Sequence, residues 1–80
     1  MKIKAIFTDN KTKCDIAVDP ETTMEKLIDM YYLKNNIQTK NKYFLCGGKN
    51  ILIDCPKSKI KEFNVLLDDN ELPILVRELD

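Results

Sequence analysis

The first part of the chain alternates between apolar and polar residues with a period of two, which is the pattern of a half-buried β-strand. Two such runs flank the segment TDNK, in which Asp9 and Asn10 supply turn chemistry. The residues expected on the buried face are Met1, Ile3, Ala5, Phe7, Cys14, Ile16 and Val18. This pattern predicts a β-hairpin.

The next segment has a helical period, because four apolar residues recur at the spacing i, i+3, i+4, i+7 of a helix of about three turns. These residues are Met24, Leu27, Ile28 and Tyr31. Three further apolar residues, Met30, Tyr32 and Leu33, lie off that face. They either wrap the edges of the helix against a small core or form a contact surface, and the sequence leaves both possibilities open.

The ends of this helix are marked by residues that satisfy free backbone groups. Thr22 has capping-box spacing to Glu25, while Thr23 is an equally good N-cap on its own. At the other end, asparagine at 35 and 36 tolerates the left-handed conformation that often terminates a helix. We therefore expect the helix to begin near Thr22 or Thr23 and to end near Asn35.

The chain has two glycines, and both lie in FLCGGKNIL. A glycine pair can form a phosphate-binding loop, the reactive tail of a conjugated modifier, or a hairpin turn. A phosphate loop needs a strand that leads through the glycines into a helix. Here Ile51, Leu52 and Ile53 follow, and we interpret them as a short return strand. On that ground the sequence favours a hairpin with positive-φ positions.

The last third predicts one short helical turn and a closing strand. The turn is expected where Pro56 and Ser58 precede the apolar residues Ile60, Phe63 and Val65. In the closing strand Leu72, Ile74 and Val76 face inward, while Pro73, Leu75 and Arg77 face outward. A proline inside a strand marks an edge or a position whose N–H is not needed.

The order of these elements predicts an α+β domain in which one helix packs across a mixed sheet of four or five strands. The closing strand is expected to lie beside the first strand and parallel to it. The residues predicted to be buried are Ile3, Ile16, Val18, Leu27, Phe44, Ile60, Phe63 and Ile74.

Composition restricts the classes of partner. Thirteen basic and thirteen acidic residues balance in a chain of 80, so no basic excess favours a nucleic-acid backbone. All basic residues except Arg77 are lysine, which leaves one guanidinium for bidentate recognition. No apolar run approaches the roughly 20 residues of a membrane span, and the N-terminus does not resemble a signal sequence. We expect no nucleic-acid or membrane partner and a cytoplasmic or nuclear location.

The chemistry of the side chains argues against an enzyme. There is no histidine, so a Cys–His nucleophile pair cannot form within the chain. Cys14, Cys46 and Cys55 are odd in number and lack the spacing of zinc ligands. We expect three free thiols in a reducing, intracellular setting and neither metal nor cofactor.

Four segments, taken in order, resemble ubiquitin and its relatives, which have the β-grasp fold. VDPETTMEKL resembles the turn and helix start, FLCGGKNI the strand and glycine turn, SKIKEFNV the short helical segment, and ELPILVREL the closing strand. In the third segment the residues in register are Ile60, Phe63, Asn64 and Val65. Each motif is short, but their order and spacing from Met1 to Arg77 identify a ubiquitin-like domain over 1–80.

The resemblance also has a limit at the C-terminus. A conjugated modifier carries Gly-Gly after its last strand, whereas this chain reads Arg77-Glu78-Leu79-Asp80 there. The resemblance therefore implies a domain that is non-conjugatable as written. We expect it to be a monomeric protein-interaction domain within a larger protein.

The resemblance places the contact surface on the open face of the sheet. It puts Leu45 and Leu75 at two central positions, Lys49 at the lysine after the glycine turn, and Arg77 at an arginine beside the surface. Two positions depart from the family, because Pro73 replaces a polar residue and Tyr43 a basic one; Thr8 or Asp9 also falls where the family has an apolar loop residue. Alternation independently turns Tyr43, Leu45, Pro73 and Leu75 outward, and a contiguous apolar group of this kind typically marks a contact.

Three hypotheses follow for function. The first is docking onto ubiquitin-binding partners such as proteasome subunits or an AAA ATPase. The second is another β-grasp scaffold, either Ras-association-like or PB1-like, the latter using the basic first strand with Lys2 and Lys4. The third is a ubiquitin-like modifier whose Gly-Gly tail follows Asp80.

Overall fold

The computed structural model describes residues 2–38 and 41–79 and contains a five-stranded mixed sheet crossed by one main helix. The strand order is β2-β1-β5-β3-β4. The elements are β1 (Ile3–Thr8), β2 (Lys13–Val18), α1 (Met24–Lys34), β3 (Lys42–Cys46), β4 (Lys49–Asn50), α2 (Ile51–Asp54), a 3₁₀ helix (Ile60–Leu66) and β5 (Glu71–Glu78). This is the predicted α+β arrangement.

The strand pairing agrees with the predicted topology. β1 and β2 form the antiparallel hairpin, with Ile3 opposite Val18. β5 lies parallel to β1 and antiparallel to β3, so it is the central strand of the sheet. The hairpin turn is stabilised by the Asp9 carboxylate, which accepts hydrogen bonds from the backbone N–H groups of Lys11 and Thr12 at 2.8 Å each.

The helix α1 begins and ends at the predicted residues. Thr23, rather than Thr22, is the N-cap, and its hydroxyl accepts a hydrogen bond from the Lys26 N–H at 3.4 Å. Asn35 is the C-cap, and Asn36 follows with a φ of 54°, in the left-handed region. An acid in the first turn and a lysine in the last also match the helix dipole.

The core fills the space between α1 and the inner face of the sheet. Phe44 lies at its centre and makes edge-to-face contacts with Phe7, Tyr31 and Tyr32 at ring-centroid distances of 5.9, 5.5 and 5.8 Å. Of the two roles left open for Tyr32, the structure shows packing against the core, because its ring contacts Phe44 and is 5% exposed. The buried face of α1 is therefore wider than the four residues at spacing i, i+3, i+4, i+7, because it also includes Tyr32.

Most of the predicted core residues are buried. The confirmed set is Ile3, Ile16, Val18, Leu27, Phe44, Ile60 and Ile74. Phe63 is an exception, because it lies at a kink inside the 3₁₀ helix and is only half-buried against the core. Cys14 is also half-buried, as its strand forms a sheet edge. Met1 and the Val65 side chain lie outside the described residues.

The glycine pair is a hairpin turn, as predicted. Gly47 and Gly48 both have positive φ, at 60° and 83°, and they join Cys46 to its partner Lys49. Positive φ at both central residues is the requirement of a type I′ two-residue hairpin loop.

The return strand after this turn is shorter than predicted. It consists of Lys49 and Asn50 alone, and the run Ile51–Asp54 forms one turn of helix. Because Ile51 is fully buried while Ile53 is 76% exposed, that turn inserts a single anchor into the core. The prediction of a strand over Ile51–Ile53 is therefore wrong.

Pro73 lies inside the central strand, where a missing N–H would normally cost a hydrogen bond. The pairing of β5 with β3 runs from Glu78 to Leu75 and stops there, because β3 enters its turn after Cys46. Pro73 is thus opposite Ile6 of β1 but beyond the last β3 pair. The sheet accepts proline at this one position because β3 has already turned away.

Candidate protein-binding surface

The outer face of the sheet carries a continuous apolar surface. Leu45 and Leu75 lie directly opposite each other on β3 and β5, and Tyr43 lies opposite Arg77 one step along. Pro73 follows on the same face of β5. Leu75 is 44% exposed and Pro73 is exposed, while Tyr43 and Leu45 are half-buried against their neighbours. We call Tyr43, Leu45, Pro73 and Leu75, together with Ile6, the outer patch.

Ile6 was not identified from the sequence. It pairs with Pro73 in the parallel ladder and is half-buried on the outer face. The signal was present in the alternation, because Ile6 shares its parity with Lys2 and Lys4 rather than with the buried residues. It extends the outer patch onto β1.

The residues around the outer patch are polar or charged. Thr8 lies beside Leu75, and Asn50 lies beside Leu45, so these two close the row at either end. Arg77 is half-buried and donates one guanidinium hydrogen bond to the Val76 carbonyl at 3.0 Å. An apolar centre with a polar rim is the usual anatomy of a protein interface.

The structure does not bring Lys49 to this face. Lys49 is opposite Cys46, whose side chain is buried, so both residues belong to the inner side of the sheet. There Lys49 lines a cavity of about 360 Å³ together with Cys55 and Glu62. Of the predicted site residues, five lie together on the outer face and Lys49 lies at the edge of the opposite one.

The turn between β1 and β2 does not extend the apolar surface. Asp9 is one of the two residues that fall where the ubiquitin family has an apolar loop residue. Its carboxylate accepts hydrogen bonds from the Lys11 and Thr12 N–H groups. These backbone hydrogen bonds hold the pKa of Asp9 below its ordinary value. Asp9 therefore contributes charge to the rim and no apolar area.

The basic first strand is partly neutralised within the chain. The Lys4 ammonium lies 4.0 Å from the Glu71 carboxylate, and both side chains are about half exposed. Pairing of this kind is weak, but it reduces the net charge that β1 presents to an acidic partner.

The return strand does not include Ile51–Ile53, but a phosphate loop is still disfavoured, because β4 (Lys49–Asn50) separates the glycines from α2. A different observation argues against a phosphate there. The Asn50 N–H at the start of α2 donates to the Asp54 carboxylate at 3.1 Å. An acidic side chain already occupies the place that an anion would need.

The three cysteines are free thiols, as predicted. Burial raises the pKa of the Cys46 thiol to about 11. Burial also raises the pKa of Cys55, against the opposing effect of the nearby Lys49 ammonium. Neither thiol has the lowered pKa of a nucleophile at neutral pH.

Within 2–38 and 41–79, no three side chains of His, Cys, Asp or Glu are grouped so as to hold a metal ion. No helix in these ranges combines the length and apolarity needed to cross a bilayer.

Comparison with solved structures identifies the fold. The chain is similar to the ubiquitin-like domain of an Arabidopsis thaliana protein, with a TM-score of 0.74 and 16% identity over 99% of this chain and 79% of that one. It is also similar to the ubiquitin-like domain of Plasmodium falciparum Dsk2, with a TM-score of 0.69 and 17% identity over 96% of this chain and all of that domain.

A third similar structure is ATBAG1, which was solved in complex with HSP70. The TM-score is 0.73 at 13% identity, and the match covers 96% of this chain but 40% of ATBAG1. No protein-family model matches the chain. No curated protein matches it in sequence either. The chain thus has the ubiquitin-like β-grasp fold. At these sequence identities, the structural similarity establishes the fold and nothing further.

Proposed function

We propose that this domain is a non-catalytic docking module that binds protein partners through the outer patch. The observation that carries the proposal is the direct pairing of Leu45 with Leu75 at the centre of the sheet face. Around that pair, Ile6, Pro73 and Tyr43 extend one apolar surface over three neighbouring strands. Exposed apolar residues that occur singly need no explanation, but a contiguous group does.

The partners we propose are ubiquitin-binding proteins, such as subunits of the proteasome or an AAA ATPase. Support comes from the ubiquitin-like fold and from the sequence resemblance, which puts Leu45 and Leu75 at the centre of ubiquitin's own contact surface. Tyr43 stands where ubiquitin has a basic residue, so one flanking charge is missing. A partner should therefore depend more on apolar contact than on charge, and its affinity should change little with salt.

The test is titration of the purified domain against a purified proteasomal ubiquitin receptor and a ubiquitin-binding domain of an AAA ATPase complex. Truncation of a central apolar anchor typically costs more than about 1 kcal/mol, which is roughly a five-fold loss of affinity. We expect Leu45→Ala and Leu75→Ala each to weaken binding by at least that factor. Circular dichroism must first show that each variant is folded.

The matched control is Leu33→Ala. Leu33 is also an exposed leucine, 80% exposed, but it lies on α1 and away from the outer patch. Its truncation should leave the affinity unchanged. If the two outer-patch variants bind as tightly as wild type, the binding surface lies elsewhere, and Met30, Leu33 and Ile37 are the next candidates. If wild type binds neither partner, the proposed partner class is wrong.

A further inference from the structure

Among residues 2–38 and 41–79, no strand lies on the outer side of β2, so β2 forms a free edge of the sheet. In β1 the Lys4 N–H donates to the Asn70 carbonyl at 2.9 Å, on the β5 side. Successive residues of a strand point their backbone groups to opposite sides, so the odd-numbered residues of β1 face β2. Their partners in β2 are the even-numbered residues. The backbone groups of Lys13, Asp15 and Ala17 therefore point away from the sheet.

One of these edge groups is covered by α1. The Lys34 ammonium donates to the Asp15 carbonyl at 2.5 Å, which independently confirms that this carbonyl opens outward. The next residue, Asn35, donates from its amide to the Cys14 sulfur at 3.4 Å. The last turn of α1 is thus tied to the middle of the free edge.

We propose that Lys34 prevents the β2 edge from pairing with the β2 strand of a second copy of this chain. An unpaired edge strand is a template for another strand, and lysine is a residue that blocks such pairing. The β2 edge of a second copy presents the same outward-pointing N–H and C=O groups. Side chains do not prevent the match, because Lys13 and Asp15 give each copy one charge of either sign on the outer face.

Lys34 opposes this pairing in two ways. Its ammonium occupies the Asp15 carbonyl that an incoming N–H would need. In an antiparallel β2–β2 pair, each copy would also bring its own Lys34 to the joined edge, and two like charges would repel. This role of Lys34 is separate from the outer patch, which lies on β1, β3 and β5.

The decisive variant is Lys34→Met, which keeps the length of the side chain but removes the charge and the donor. We expect it to form dimers in a concentration-dependent manner by sedimentation velocity, with a dissociation constant at least about ten-fold below that of wild type, equivalent to about 1.4 kcal/mol. Lys34→Arg retains both the charge and a donor and should behave as wild type. Lys26→Met removes another exposed α1 lysine and should also have no effect.

A second substitution shows where the copies join. Ala17→Pro, made in the Lys34→Met background, removes an N–H that points to the free edge and is not used by β1. With a folded protein confirmed by circular dichroism, it should restore the monomer. The proposal is overturned if Lys34→Met associates no more than wild type, or if it associates equally with and without Ala17→Pro. Association of Lys26→Met to the same degree would also overturn it.

Discussion

A Cβ atom placed on Gly47 would lie 2.5 Å from Cδ1 of Leu66, because the end of the 3₁₀ helix packs over the hairpin turn. The neighbouring Gly48 has nothing within 4 Å of the same position. Both glycines have positive φ, so backbone conformation alone does not distinguish them. The contact with Leu66 makes Gly47 the more restricted of the two.

Gly47→Ala should therefore destabilise the domain more than Gly48→Ala. Alanine in the left-handed region costs roughly 1–2 kcal/mol at either position. Gly47→Ala adds a displacement of the Leu66 side chain, which we expect to cost about 1 kcal/mol more. Chemical denaturation of both variants measures the difference. In a Leu66→Ala background the difference should vanish, and its persistence would show that the contact is not the cause.

Phe44→Ala should unfold or nearly unfold the domain. Phe44 is fully buried and touches three aromatic rings of β1 and α1, and a truncation of this kind costs about 3–5 kcal/mol. Leu75→Ala on the adjacent strand should have little effect, because truncation of an exposed residue typically changes the free energy of unfolding by about 0.5 kcal/mol or less. Thermal melts of Phe44→Ala and Leu75→Ala test both values. A large loss of stability in Leu75→Ala would mean that the outer patch serves the fold rather than a partner.

The parts of the fold that follow from local patterns were predicted well. Alternation fixes which side chains of a strand share a face, so the outward positions of Leu45 and Leu75 were predictable before the two strands were known to be neighbours. Alternation does not fix the register between strands. The direct opposition of Leu45 and Leu75 depends on where β3 and β5 begin to pair, and only the structure supplies it.

The wrongly predicted strand and the undecided role of Tyr32 both lie where tertiary packing outweighs local pattern. The apolar run Ile51–Ile53 is short enough to suit a strand or a helix, and the need to bury Ile51 while returning the chain to α1 selects a helical turn. Tyr32 is buried because its ring packs against Phe44, in an aromatic cluster that extends beyond the four residues of the predicted apolar face of α1. Neither cause can be read from spacing along the chain.

The stability of the domain should fall between pH 9 and pH 11 through Cys46. Burial raises the pKa of this thiol from 9.0 to about 11, so in that range the unfolded chain releases a proton that the folded chain keeps. The folded state then binds more protons, and the free energy of unfolding decreases as the pH rises. A shift of this size corresponds to at most about 2–3 kcal/mol. Urea denaturation across this pH range measures the fall.

Cys46→Val isolates this effect. Valine fills a similar volume and does not titrate, so its stability should decline less steeply over the same range. Burial also raises the pKa of Tyr31, but that residue is present in both proteins and its effect cancels in the comparison. Parallel curves for the two proteins would show that Cys46 does not carry the pH dependence.

Glu21 should titrate far below an ordinary glutamate. Hydrogen bonds from Lys61 at 2.5 Å and Lys59 at 2.9 Å lower its pKa from 4.5 to about 2. A lowered pKa means that the ion pairs stabilise the fold above pH 4.5 and that this contribution is lost as the pH falls through about 2.

NMR titration of the carboxyl carbon should show the pKa of Glu21 rising in Lys61→Gln, and rising in high salt because the groups are exposed. Lys57→Gln, which removes a partner of Glu25 instead, should leave it unchanged. A Glu21 pKa near 4.5 in wild type at low salt would contradict the pairing.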